Sequence, residues 1–201
     1  VTSSPSNKTT TTTVLQSILT QVNFCLTETT SAITTTTAAT AATVTFDCPP
    51  VSVSVGSASI LYSTTADTST TYQCFASTWT APSSKTVTLA FQFRHYSDYW
   101  YLDDVSVYQG SSQIIVNGGF ETGSLTPWQR TTPNGNCNSF AGQVQSGVGR
   151  TGNYAVKDGC QNYADQISQN FSATAGQSYT IVFWLKMGAF GSSKSANVTL
   201  M

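Results

Sequence analysis

Hydrophobic and polar residues alternate along much of the chain after residue 50, and a period of two is the pattern of half-buried β-strands. The alternation is strict in residues 51–55, returns in 86–93, and becomes a longer β-branched and aromatic run in 179–185. Asn-Gly, Gly-Gly, Asp-Gly and Ala-Gly pairs separate these runs at spacings typical of β-sandwiches. Residues 14–26 partly fit a helical period, but their Thr-rich flanks and β-branched content favour a strand. The pattern therefore predicts an all-β fold.

Threonine is concentrated at the N-terminus, where residues 1–50 hold 17 of the 34 threonines. Such Thr, Ser, Ala and Pro tracts are typical of O-glycosylated segments in exported proteins, and three Asn-x-Ser/Thr sequons add candidate N-glycosylation sites. The candidate attachment residues are Asn7, Asn170, Asn197, Thr9, Thr10, Thr11, Thr12, Thr13, Thr34, Thr35, Thr36 and Thr37. These candidate sites predict covalently attached glycans. Together with the five cysteines, they predict an extracellular or cell-surface glycoprotein.

The five cysteines predict two disulfides and one remaining thiol. Cys137 and Cys160 flank a Gly-rich stretch and would close a loop of moderate length. Cys25, Cys48 and Cys74 supply the second bridge; we name Cys25 and Cys48 as its candidates, and the pairing among the three stays open. The remaining thiol is either buried or linked to another chain. The chain has no Cys-x-x-Cys pair with partner histidines, so the sequence does not predict a zinc site.

Charge and hydropathy exclude two classes of partner. Only 8% of the residues are charged and the formal net charge is −1, so the basic surface that binds nucleic acid is missing. No stretch approaches the roughly 20 apolar residues of a membrane span. The polar N-terminus also lacks a signal-peptide core, and we expect a soluble chain whose signal has been removed.

Two motifs resemble the two ends of one known kind of domain. Residues 116–121, Val-Asn-Gly-Gly-Phe-Glu, followed by Gly123 and Trp128, resemble the opening of the carbohydrate-binding-module-like, galactose-binding-like β-jelly-roll family. Residues 101–107, Tyr-Leu-Asp-Asp-Val-Ser-Val, resemble the closing strand of that family. The motif that resembles the end of the domain therefore comes before the motif that resembles its start.

The resemblance implies three parts: a Thr-rich segment 1–50 with some strand pairing, the back half of a jelly roll in 51–110, and the front half in 111–201. The matched pieces, 51–108 and 113–201, hold 58 and 89 residues, which together make one sandwich of ordinary size. Three arrangements complete it. The chain folds back on itself as a circular permutation, the front half of one copy accepts the back half of the next, or the sequence is a window cut from a tandem array.

A structural calcium ion is a further implication of the resemblance, at the point where the first and last strands meet. Strand alternation places Asp103 on the core face with Val105 and Val107, while Asp104 points away. The family would then hold calcium with Asp103 and Glu121 and with backbone carbonyls. The alternative is that these carboxylates accept hydrogen bonds from backbone groups or arginine.

Catalysis is not expected. His95 and the nearby Asp98 could join one of many serines, but no nucleophile-elbow pattern is present, and a solvated loop histidine is the simpler interpretation. Asp103 and Asp104 are strand neighbours on opposite faces, so they do not form the carboxylate pair that glycoside hydrolysis needs.

Sugar binding requires aromatic rings presented to solvent beside polar groups that hold the hydroxyls. The candidate glycan contacts are Tyr96, Tyr99, Trp100 and Arg94, with Tyr101, Phe140 and Tyr163 as further aromatic candidates. These rings would bind external glycans or stack on the protein's own sugars. Trp128 and Trp184 lie in motifs where tryptophan usually belongs to the core.

These observations favour a non-enzymatic structural subunit of an extracellular glycosylated filament or tandem array. Each subunit would assemble head-to-tail with copies of itself, because an open front half accepts the back half of the next copy by strand complementation. The alternative is a carbohydrate-binding module of a secreted adhesin or enzyme.

Overall fold

A computed structural model describes residues 44–53, 59–66, 69–137, 141–189, 191 and 193–201. All of them belong to one compact unit, Thr40–Met201. The predictions for Asn7, Cys25, the two threonine tracts, the strand at 14–26 and Phe140 lie outside the described residues.

The described residues form twelve β-strands and no helix, so the predicted all-β class is confirmed. Accordingly, this part of the chain contains no helix that could cross a membrane. The strands are β1 Val51–Ser52, β2 Ser59–Thr64, β3 Gln73–Thr80, β4 Lys85–His95, β5 Trp100–Gln109, β6 Ser112–Gln113, β7 Gln129–Thr131, β8 Gln143–Ser146, β9 Tyr154–Asp158, β10 Asp165–Ala173, β11 Ser178–Met187 and β12 Lys194–Leu200. The predicted runs 86–93 and 179–185 lie inside β4 and β11. Of the predicted run 51–55, β1 covers Val51–Ser52, and residues 54 and 55 lie outside the described residues.

Two sheets pack face to face. One has seven strands in the order β1-β3-β11-β5-β9-β8, with β6 paired to β5, and the other has five in the order β2-β12-β4-β10-β7. Neighbouring strands are antiparallel apart from the parallel pair β1 and β3. Phe91 from the five-stranded sheet meets Phe183 from the seven-stranded sheet edge to face, with 5.3 Å between ring centroids. The aromatic side chains of both sheets therefore form one continuous core.

The two sequence halves interleave within this one chain. β12 from the front half lies between β2 and β4 of the back half, and β11 lies between β3 and β5. Phe120 from the opening motif and Val105 from the closing strand are buried in the same core. The strand through Asp103 and the segment through Phe120 thus lie in the same sandwich of this structure.

A β-bulge in β5 changes which side chains face the core. The pairing of β5 with β11 shifts between Val182 and Trp184, so that Asp104 and Val105 together oppose Phe183. Asp104 adopts a left-handed backbone conformation with φ 48° at this point. One extra residue reverses the alternation on the N-terminal side of the bulge.

The opening motif closes one end of the sandwich and has a structural role. Asn117 donates two hydrogen bonds from its amide, to the carbonyls of Ser124 and Thr126, and its own carbonyl accepts one from the Trp128 indole. Phe120 is fully buried beside Trp128, with 5.7 Å between the rings. The core position predicted for Trp128 is therefore confirmed.

Two disulfides occur among the described residues. Cys137 and Cys160 form the bridge predicted from their spacing, and Cys48 is bonded to Cys74. Naming Cys25 with Cys48 was therefore wrong, because Cys74 on β3 is the residue that the fold brings to Cys48. The Cys48–Cys74 bond joins the segment before β1 to the seven-stranded sheet.

Candidate functional site

A groove of about 330 Å³ lies between residues 44–47 and the outer face of the seven-stranded sheet. The side chains that give it chemical character come from four separate parts of the chain. They are Phe46, Asp47, Asp104, Ser106, Tyr108, Gln113, Arg150 and Trp184.

Strand alternation explains why these side chains point outward. On β11 the buried Phe183 and Leu185 flank Trp184, which is half-buried on the outer face. On β5 the bulge keeps Val105 inside and leaves Asp104 and Ser106 facing outward. The Cys48–Cys74 bridge holds the first wall, residues 44–47, against this face.

Arg150 is the central charged group of the groove. Its guanidinium lies over the Trp184 indole, with the central carbon 3.4 Å from the ring centroid. The same group donates to Asp104 Oδ2 at 2.7 Å and to Asp47 Oδ2 at 3.0 Å. With its side chain only 25% exposed, Arg150 is fixed by one aromatic ring and two carboxylates.

Asp103 lies next to this group and is fully buried. Its predicted position on the core face was wrong, because the bulge pairs Asp103 with the outward-facing Trp184, and the backbone of Arg150 and Thr151 covers its carboxylate. Its carboxylate accepts backbone N–H bonds from Asp104, Arg150 and Thr151. Burial raises the pKa of Asp103 to about 6, although these three donors act in the opposite direction. Thr151 also donates from its hydroxyl to Asp104, so both carboxylates anchor the start of the same loop.

Glu121 anchors the other end of that loop. Its carboxylate accepts the backbone N–H groups of Asn153 and Tyr154 at 2.8 to 3.0 Å. Gly152 has φ 62°, and a Cβ at this position would lie 2.3 Å from the Glu121 carboxyl carbon. The loop therefore needs glycine at residue 152 for two reasons, its backbone conformation and the close approach of Glu121.

Asp103 and Glu121 do not fit the calcium site that the resemblance implies. Calcium takes roughly six to eight oxygen ligands, but the oxygens of both carboxylates already accept backbone N–H groups. In addition, the Arg150 guanidinium lies against the neighbouring Asp104. The contacts match the alternative interpretation, in which these carboxylates hold the 150–154 loop by hydrogen bonds.

The predicted cluster of glycan contacts does not form one surface. Trp100 is only 1% exposed, stacks on Phe93 in the core, and donates from its indole to the Arg94 carbonyl. Trp100 as an exposed platform was therefore wrong, because the bulge turns it inward. Tyr96 is 49% exposed but lies beyond the end of β4, and Tyr99 packs under the Lys157 ammonium on the other sheet.

Arg94 and the remaining aromatic candidates are also dispersed. The Arg94 side chain lies on the five-stranded sheet and donates to the Gln161 carbonyl. Tyr101 faces outward on the seven-stranded sheet below the Lys186 ammonium. Tyr163 is 48% exposed and its ring lies over Gly135.

His95 is fully buried, so its interpretation as a solvated loop residue was wrong. Burial lowers its pKa, and its Nδ1 lies 3.3 Å from the Tyr96 carbonyl. Strand β4 carries it into the sandwich because the sheet extends two residues past the predicted run. Asp103 and Asp104 do not lie on opposite sides of β5 as predicted, because the bulge lets both carboxylates bond to Arg150 and Thr151.

The sequons at Asn170 and Asn197 lie on β10 and β12 of the five-stranded sheet. Asn170 is exposed and accepts a hydrogen bond from Thr88 at 2.8 Å, while Asn197 accepts one from Ser63 at 2.7 Å. Both remain predicted glycosylation sites.

Sequence reasoning missed Arg150 and placed Trp184 in the core. No local pattern marks Arg150, because its three partners, Asp47, Asp104 and Trp184, come from distant segments. The sequence held one signal for this site. A disulfide from Cys48 to a cysteine on a strand would bring the adjacent Asp47 close to a sheet surface.

A scan against family models, a search of curated proteins and a search of solved structures each return no match for the chain.

Proposed function

We propose that this protein is a non-catalytic glycan-binding β-sandwich of an extracellular glycoprotein and that the groove is its binding site. The observation that carries the proposal is the combination, in one groove of about 330 Å³, of aromatic rings with hydrogen-bonding groups held in fixed positions. Ligand sites of roughly 300–1,000 Å³ commonly have this composition. Sugars need it in particular, because each ring has apolar C–H faces and a rim of hydroxyls.

The apolar part of the groove consists of aromatic side chains from its two walls. Phe46 and Tyr108 meet edge to face, with 5.6 Å between centroids, and Trp184 forms part of the floor. A pyranose would bury its C–H face against Phe46 and Tyr108, because the Arg150 guanidinium already covers the Trp184 ring.

The polar part is already ordered before a ligand arrives. Arg150 has N–H donors fixed by Asp47, Asp104 and Trp184, so little side-chain entropy is lost when it binds a hydroxyl. Asp47 is 65% exposed and offers an acceptor. One arginine and two carboxylates leave a formal charge of −1, which favours neutral sugars over acidic ones.

Binding to a glycan array, followed by titration calorimetry with the best neutral glycan, tests the proposal. Tyr108→Ala should weaken binding about tenfold, since it removes one aromatic wall. Tyr96→Ala is the matched control, because Tyr96 is an exposed tyrosine outside the groove. Equal thermal stability of the two variants would show that the loss is local.

Two results would contradict the proposal. No binding of any neutral glycan at millimolar concentration would remove the function itself. A loss in Tyr96→Ala with none in Tyr108→Ala would move the site away from the groove.

A second candidate function is a filament subunit that exchanges strands with copies of itself. The interleaving of the halves supports it, since β11 and β12 each lie between two strands of the other half. A single connection, the exposed turn at Gly110 and Ser111, joins the two halves. If that turn opened, the same pairings could form between successive copies and continue as a fibre. Electron microscopy of the concentrated protein would show polymers, whereas a strict monomer would contradict this candidate.

A further inference from the structure

Two buried carboxyl groups meet at the disulfide-bonded end of the sandwich. Asp158 ends β9, Asp165 begins β10, and both are fully buried beside Gly142, where a built Cβ would lie 2.9 Å from Asp158 Oδ2. One oxygen of each is satisfied by the backbone: Gly142 N–H donates to Asp165 Oδ2 at 2.8 Å, and Cys160 N–H donates to Asp158 Oδ1 at 3.4 Å.

The other two oxygens, Asp158 Oδ2 and Asp165 Oδ1, have no hydrogen-bond partner among the described residues. Buried polar atoms in native proteins are almost always paired, so these two atoms require an explanation. If both groups were ionised, two negative charges would lie side by side in a fully buried site. One proton on Asp158 would remove a charge and provide the missing hydrogen bond to Asp165.

The surroundings do not neutralise two charges. From β7, Arg130 donates to the Gly142 carbonyl and is the cation that acts on Asp158. From β4, the titratable group is His95, whose pKa is lowered by burial, and β5 places Trp100 opposite Asp158. One arginine against two carboxylates leaves one charge without a partner.

The adjacent sulfur atoms do not turn the pair into a metal site. Cys137 and Cys160 lie within 4.8 Å of an Asp165 oxygen, but their sulfurs are bonded to each other and are not thiolates. A proton satisfies both oxygens with no further ligand.

We propose that Asp158 and Asp165 share one proton in the folded protein, and that losing it weakens the attachment of the disulfide-bonded loop to the sandwich. Burial raises the pKa of Asp158 well above its ordinary value, and contact with Asp165 raises it further. The stabilisation is therefore complete below the unfolded pKa of about 3.9 and is lost as the pH rises through the higher pKa of the folded state.

Thermal unfolding between pH 4 and 9 tests the pair with the Asp158→Asn variant. An amide can donate permanently to Asp165, so this variant should unfold about 3 °C or more above the wild type at pH 8. It should also lose half or more of the wild type's decline in Tm between pH 4 and pH 8. Exchange of the Gly142 and Cys160 amide protons, corrected for intrinsic rates, should be slower in the variant at pH 8.

Asp103→Asn is the matched control. Asp103 is also buried, but its oxygens accept three backbone N–H groups, and an amide would direct its own N–H at one of them. This variant should have a lower Tm than the wild type at pH 4, and because the pKa of Asp103 is also raised, the difference should narrow by pH 8 without becoming the gain expected for Asp158→Asn.

The proposal is overturned if Asp158→Asn is less stable than the wild type at pH 8, or if it keeps the full pH dependence. If the variant fails to fold, the infrared spectrum of the wild type decides. A protonated carboxyl C=O band at pH 7 supports the shared proton, and its absence overturns it.

Discussion

Gly118 occupies a position that only glycine can fill. A Cβ built on it would lie 1.8 Å from the Val105 carbonyl oxygen, and the Val105 N–H donates to the Gly118 carbonyl at 2.9 Å. For the adjacent Gly119 the nearest atom to such a Cβ is 3.7 Å away, on the Asp104 side chain. Of the two neighbouring glycines in the opening motif, the first is therefore required by close packing of two backbones.

Gly118→Ala should lower the free energy of unfolding by about 3 kcal/mol, because the backbone of β5 must move to admit a methyl group. Gly119→Ala is its control and should change it by about 1 kcal/mol or less. Urea denaturation of both variants measures the difference. Similar values for the two would mean that the contact between Gly118 and Val105 contributes nothing specific.

The bulge in β5 is the feature of a single element with the largest consequences. It allows Asp103 to be buried beside Leu102, keeps Val105 in the core, and turns Trp100 inward and Tyr101 outward. Strict alternation counted back from Val105 would assign the opposite faces to Trp100 and Tyr101. An insertion of one residue between paired strands leaves no clear mark in the pattern, because it depends on the partner strand.

Trp100→Ala should therefore destabilise the protein by about 3 to 5 kcal/mol, as expected for removing a buried tryptophan. Tyr101→Ala, on the adjacent outward position, should cost about 1 kcal/mol or less. Calorimetry on both variants tests the assignment of faces. The reverse order would show that β5 has no bulge in solution.

At the scale of the whole molecule, the turn at Gly110 and Ser111 is the connection between the two halves of the sandwich. Gly110 has φ 59°, and nothing lies within 4 Å of a Cβ built there, so this exposed turn reverses the chain without packing constraints.

Deleting Gly110 and Ser111 should prevent the reversal and convert monomers into strand-exchanged oligomers, because a shortened hinge favours exchange. Inserting three Gly or Ser residues at the same place should instead favour the monomer. Size-exclusion chromatography with light scattering distinguishes the two. Monomers from both variants would show that the halves do not exchange.

Local patterns in the sequence determined several features of this protein. The all-β class, the long strands β4 and β11, and the bridge between Cys137 and Cys160 all follow from alternation and short spacings. These features could be predicted because each depends on residues that are close in the chain.

Tertiary structure alone decided the rest. The inward turn of Trp100, the choice of Cys74 as partner for Cys48, and the fixing of Arg150 by groups from three segments each depend on contacts between distant residues. The same holds for the position of β12, which lies between two strands from the other half. Alternation in the sequence indicates that a strand has two different faces. Which face is buried depends on the strands that pair with it and the sheet that packs against it.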